Sequence, residues 1–200
     1  MKAPRRLAIT LALGGGAWTC QRAAPAPATP PAASTACAPA EGTLPADART
    51  DALAGDFAVT LVATRGPRTG HAAAGTLRLA RYAAGAGPSI EARPDVRYPA
   101  HGAASLPLDS VGAEAPGDIA IASASRPGVL AIEQRGGEGT RLMLRFGAEA
   151  NGAGPQRFDG SYLALYVDAL SADRFSGRWS SGVAEREAGG HFCAERVAAR

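Results

Sequence analysis

From Phe57 onward the chain alternates. Phe57, Val59, Leu61 and Ala63 fall on one side, while Ala58, Thr60, Val62 and Thr64 fall on the other. A period of two belongs to a strand and excludes a helix. Gly66, Pro67, Thr69 and Gly70 supply turn chemistry, and Leu77 and Leu79 resume the alternation after Gly75. Residues 55–82 therefore predict a β-hairpin with strands near 56–64 and 73–82, preceded by a single helical turn within 46–54. Weaker strand signals follow near 101–106 and 118–123. The pattern sharpens at 128–135 and 140–147, which flank the Gly-rich turn Gly136–Gly139. In the second of these, Leu142, Leu144 and Phe146 oppose Arg141, Met143 and Arg145. Three more strands are expected at 160–170, 174–182 and 189–197. The polar stretches 83–98 and 148–159 read as long loops, which carry function more often than short turns do.

Eight or nine short strands joined mostly by hairpin-length turns predict an all-β fold. The reading is an up-and-down antiparallel β-barrel of about eight strands, in which closure removes the sheet edges, with a β-sandwich as the alternative. Phe57, Leu61, Leu77, Leu144 and Leu165 are the expected interior. The strand at 160–170 differs from the rest because both of its faces are apolar or aromatic. Leu163, Leu165 and Val167 lie on one side and Tyr162, Ala164 and Tyr166 on the other, so the second face needs cover from a loop, a helix, the N-terminal tether or a partner.

The opening LAGDFAVTL resembles the start of the calycin group, the lipocalin and avidin type barrels, in which a Gly-x-Trp motif begins the first strand. Gly55-Asp56-Phe57 has Phe in the Trp position, and FSGRW at 175–179 is similar to the Gly-x-Trp pieces of avidin-like strands. The resemblance implies architecture. Small barrels of this kind either fill their interior with side chains or hold one small apolar ligand.

The N-terminus changes the picture of where the domain resides. Residues 1–19 combine a basic start, MKAPRR, with the apolar run Leu7–Trp18, too short to span a bilayer but suited to a signal peptide. Cys20 directly after that run resembles a bacterial lipoprotein precursor, which implies lipidation of Cys20 and a cell-envelope protein anchored to the membrane. Ordinary cleavage near Ala24-Pro25-Ala26, giving a periplasmic or secreted soluble protein, is the alternative. Residues 20–44, rich in Ala and Pro, cannot bury enough apolar surface to offset their ordering entropy and read as a disordered tether. The barrel domain then occupies 45–200. With Cys20 lipidated, Cys37 and Cys193 remain as a pair in an oxidising compartment, where a disulfide clipping the tether to the last strand is expected. Two free thiols, or a simply buried Cys193, are the alternatives.

Charge and side-chain chemistry then remove options. Setting aside Lys2, Arg5 and Arg6 leaves 18 basic residues against 18 acidic ones, which gives no electrostatic reason to expect nucleic acid. His71, His101 and His191 are not spaced as metal ligands, so no metal or cofactor is expected. No G-x-S-x-G elbow occurs. His191 and Cys193 share a strand face, but a disulfide withdraws the thiol from nucleophilic use. Glu185 and Glu187 read as solvated charge, and Arg78, Arg141, Arg145, Arg178 and Arg196 as the polar outer face. The protein is read as non-enzymatic. Trp179, Tyr162, Tyr166 and Phe57 are the expected surface for a small apolar ligand. The alternative is a structural or protein-interaction module of the envelope.

Overall fold

The computed structural model describes residues 37–39, 42–82, 95–123, 126–147, 162–182 and 187–198. The signal peptide, Cys20, most of the tether, and most of the two long loops lie outside them. The described residues contain eleven strands: β1 Gly55–Arg65, β2 Ala72–Arg81, β3 Val96–Arg97, β4 Ala100–Ser105, β5 Ala122–Ser123, β6 Arg126–Pro127, β7 Val129–Gly136, β8 Gly139–Phe146, β9 Leu163–Leu170, β10 Arg174–Ser181 and β11 Ala188–Arg196. Eight of them, β1, β2, β4, β7, β8, β9, β10 and β11, pair antiparallel in chain order, and β11 returns to β1. The sheet is a closed up-and-down barrel.

The three strands outside the eight, β3, β5 and β6, have local causes. Strand β3 pairs with β7 along the same edge as β4, through Val96↔Gln134 and Arg97↔Glu133, while β4 uses His101↔Leu130 and Gly102↔Val129. Tyr98 and Pro99 separate the two pieces, and a proline lacks the N–H that a continuous ladder needs. The expected strand at 118–123 is not a barrel strand. Only Ala122–Ser123 is extended, paired with Arg126–Pro127 in a separate two-stranded sheet. Its neighbours bond the barrel by isolated links, Ala104 N–H to Ile119 O at 2.8 Å and Gly128 N–H to Ile121 O at 2.8 Å.

Alternation places Phe57, Val59, Leu61, Leu77, Leu142, Leu144, Leu163, Leu165, Phe175, Trp179, Phe192 and Ala194 inside, none more than 3% exposed. Large and small residues sit side by side across strands, with Gly177 opposite Phe192 and Gly190 opposite Trp179. A Cβ at Gly190 would lie 1.8 Å from Val62 O, and that carbonyl accepts the Trp179 indole N–H at 3.1 Å. The ring of Phe175 meets Phe57 and Phe192 edge-on, at centroid distances of 5.0 and 5.9 Å, contacts worth about 1 kcal/mol each beyond burial.

Both ends of the barrel carry a cover. At the lower end, where β1 begins, the 3-10 turn Thr50–Leu53 buries Leu53 completely. At the upper end, a second 3-10 turn, Leu108–Val111, buries Val111, and Ser181 Oγ both donates to Glu114 O and accepts from Glu114 N–H. One continuous set of mutually packed apolar residues runs from Leu44 and Leu53 to Val111 and Ala113.

Among the described residues, two charged side chains, Arg196 and Glu133, break the simple rule that charges face outward. Arg196 was expected on the outer face, yet its register with Phe192 and Ala194 turns it inward. Its guanidinium lies 4.7 Å from the Phe57 ring centroid and donates to Ala52 O and Ala54 O. A Cβ at Gly55 would sit 2.0 Å from Arg196 Nη1, so the glycine two residues before Phe57 makes room for the cation that covers the ring. Glu133 is the second, fully buried beside Thr50, Arg97 and Arg135.

Candidate binding cleft on the outer face

The four expected ligand-binding residues do not share a surface. Phe57 and Trp179 point into the packed interior, each 1% exposed. Tyr166 stands on the outer face of β9 and Tyr162 immediately precedes that strand, four residues and thus about 13 Å away. Tyr162 Oη accepts a hydrogen bond from Ser180 Oγ at 3.4 Å. Tyr166, 39% exposed, is one of two exposed large apolar side chains among the described residues, the other being Val197.

The disulfide expected between Cys37 and Cys193 is present, with a Cα–Cα separation of 5.5 Å. Closing a loop of 156 residues is worth about 5 kcal/mol in the chain-entropy model, an upper figure. His191 Nε2 lies 3.1 Å from Cys37 O and secures the same point. Gly42 then lies against Asp168 of β9, and Leu44 pairs with Thr140 of β8, where Thr140 N–H donates to Leu44 O at 3.0 Å. The end of the segment read as a disordered tether, clipped as expected to the last strand, is also held as a strap against β8 and β9, with Leu44 buried in the core.

This strap and the wall beneath it enclose two adjoining clefts of about 310 Å³ each. Neither lies inside the barrel. The first is lined by the β7–β8 hairpin with Asp95 and Thr43. The second has Gly42, Thr43 and Leu44 on one side and Ile132, Met143, Tyr166, Asp168 and Arg178 beneath. The two share Thr43, Gln134 and Arg141. Pairing register aligns Ile132, Met143, Tyr166, Arg178 and His191 in one row across five strands. Asp168 holds Arg178 by a two-point fork, at 2.8 and 3.1 Å. Arg141 is exposed and has no ion-pair or hydrogen-bond partner among the described residues.

The titratable groups separate by face. Glu133, on the inner side, is pushed up by burial, but hydrogen bonds from Thr50 and Arg135 and the charges of Arg97 and Arg135 outweigh this and hold it below the ordinary carboxylate value. His101 lies on the outer side of β4, 9% exposed, with its ring 4.5 Å from Tyr82 and its Nδ1 buried without a hydrogen-bond partner. Burial lowers the pKa of His101 and raises that of Tyr82. Among the described residues no three His, Cys, Asp or Glu side chains group as metal ligands, and no helix is long and apolar enough to cross a membrane. His191 and Cys193 do adjoin, but Cys193 is consumed in the disulfide.

Periodicity alone could have flagged Glu133, since it follows Val129 and Ala131 at spacing two. The cleft had no such signal, because it depends on where the strap is pinned.

No protein-family model matches the chain, and no curated protein matches it. Among solved structures the chain is similar to one titled "Structure of EF1p2_mFAP2b bound to DFHBI". The two share 11% identity over 73% of this chain and 94% of that one, with a TM-score of 0.36. A likeness at that level carries no argument about function.

Proposed function

We propose that the protein is an exported, non-catalytic binding module of the cell envelope, anchored through a lipid on Cys20. In this reading it holds a small apolar ligand in the outer cleft beside Tyr166 rather than inside the barrel. The carrying observation is the contrast between the two faces of the wall. The described interior is one packed set of side chains with a cover at each end, whereas the outer cleft presents Ile132, Met143 and Tyr166 under the Gly42–Leu44 strap. The basic-then-apolar N-terminus ahead of Cys20 supports export, and the disulfide fits an oxidising compartment.

A protein-interaction module using the same face is the second reading. Stable interfaces bury about 800 Å² per partner around several aromatic or apolar anchors, and Tyr166 stands nearly alone here. A cleft of about 310 Å³ is instead at the small end of ligand-pocket sizes.

Protein purified from the membranes of an expressing bacterium tests both halves. Mass measurement of the mature chain is expected to show an acylated Cys20, and an unmodified N-terminus near Ala26 contradicts the anchor. Titration with the neutral dye N-phenyl-1-naphthylamine, which brightens on leaving water, is expected to saturate at one site. Tyr166→Ala is expected to weaken that site about tenfold, the worth of one aromatic contact. An unchanged affinity in Tyr166→Ala, or no saturable signal, contradicts the cleft.

A further inference from the structure

We infer that the natural ligand of the outer cleft is a small planar aromatic monoanion, its ring seated on Met143 and Tyr166 and its charge held by Arg141. This rests on the cleft reading and narrows it, from an apolar ligand to one whose apolar body carries a single charge.

The charge follows from what lines the site. Among the described residues, three charged side chains border the second cleft, Arg141, Asp168 and Arg178, and the last two pair with each other through their fork. One positive charge is left over. A guanidinium presents paired in-plane donors that match a carboxylate, so an unpaired arginine at the edge of an apolar cleft selects for one anionic group. A second anionic group finds no counterpart. In the adjoining cleft Arg135 is already paired with Glu133, while Glu138 and Asp95 contribute negative charge. The charge complement is a monoanion.

The shape follows from the row. Met143 and Tyr166 are register partners on neighbouring strands, with Ile132 beside Met143, so the floor is about 10 Å wide across three strands. A tyrosine ring and a thioether both gain from contact with another π-system beyond the area they bury, which an alkyl chain does not supply. Arg141 lies two residues from Met143 on β8, on the same outer side and about 7 Å further toward the lower end. That spacing matches a two-ring aromatic carrying its carboxylate at one end.

The test is calorimetric titration of the disulfide-intact protein with 2-naphthoate, the uncharged 2-naphthamide and the non-aromatic octanoate, against the wild type, Arg141→Gln and Arg141→Lys. Arg141 is exposed and has no partner among the described residues, so both variants are expected to melt as the wild type does. Naphthoate is expected to bind at least tenfold more tightly than either of the other probes. Arg141→Gln is expected to bring naphthoate down to the naphthamide affinity without weakening naphthamide, and Arg141→Lys to retain part of the difference. Equal affinities of naphthoate and naphthamide for the wild type, or a naphthoate preference that survives in Arg141→Gln, overturn the charge assignment. Octanoate binding as tightly as naphthoate overturns the aromatic one. In each of these cases the neutral dye still reports an occupied cleft, and the cleft reading stands. If neither the dye nor any of the three probes binds, the cleft reading fails and takes this inference with it.

Discussion

The inner and outer faces of the barrel wall are made by the same eight strands, yet they differ in what they leave unsatisfied. Inside, even the groups that sequence patterning would send to solvent are matched. Glu133 has Thr50 and two arginines, Arg196 has the Phe57 ring and two carbonyls, and the Trp179 N–H has Val62 O. Outside, Tyr166 is partly exposed, Arg141 has no partner among the described residues, and His101 Nδ1 is buried without one. A face whose groups are all paired gains nothing from a ligand, and a face with open valences does. The difference assigns stability to the interior and recognition to the exterior.

The sharpest way to break this division is to truncate one aromatic on each side. Phe175→Ala removes a ring that touches two others in the packed interior and is expected to cost about 3–5 kcal/mol in denaturant unfolding. Tyr166→Ala is expected to change stability by no more than about 0.5 kcal/mol, as a partly exposed residue does. Comparable losses from the two would show that the outer face is structural as well.

Acid should separate the two faces by pH window. Glu133 and His101 both have folded pKa values below their ordinary ones, so each contributes stability at higher pH that is lost as protons bind the unfolded chain more readily. For His101, on the outer face, the loss begins as pH falls through about 6.5. For Glu133, on the inner face, it begins near 4.5. Glu133→Gln is expected to lower stability at pH 7 by about 2 kcal/mol and to flatten the window below 4.5, because the half-exposed Arg97 and Arg135 can rehydrate and limit the cost. His101→Phe is expected to have the smaller effect, flattening only the window that opens near 6.5. Unfolding curves across pH check both, and a Glu133→Gln profile parallel to the wild type contradicts the assignment.

Much of the wall was legible from the chain. Residues such as Leu142, Leu144 and Phe146, or Leu163, Leu165 and Val167, announce both a strand and its buried side, because the pleat has a period of two. The same period says nothing about how strands register with one another. The sequence therefore could not show that Tyr166 faces away from Trp179 while lying beside Met143. Residues 118–123 read as a weak strand, but they belong to the connection over the upper end, where only Ala122–Ser123 is extended. Glu133 follows Val129 and Ala131 at spacing two and could have been placed inside on that ground, whereas Arg196 was assigned to the outer face because nothing in its spacing shows the Phe57 ring and the two carbonyls that receive it. The disulfide was legible by counting cysteines. The cleft it helps to form was not, because the cover comes from Gly42–Leu44, far in sequence from the β8 and β9 residues beneath.

The most direct test of the division between faces uses one reporter on each, in one sample. The chain has two methionines and two tryptophans, and within the barrel these are Met143 outside and Trp179 inside. Labelling the methionine methyl groups and the indole N–H, then adding N-phenyl-1-naphthylamine to saturation, should move the Met143 methyl resonance and leave the Trp179 indole N–H, bonded to Val62 O, in place. A shift of the Trp179 signal with Met143 unmoved would put the ligand inside the barrel and contradict the account.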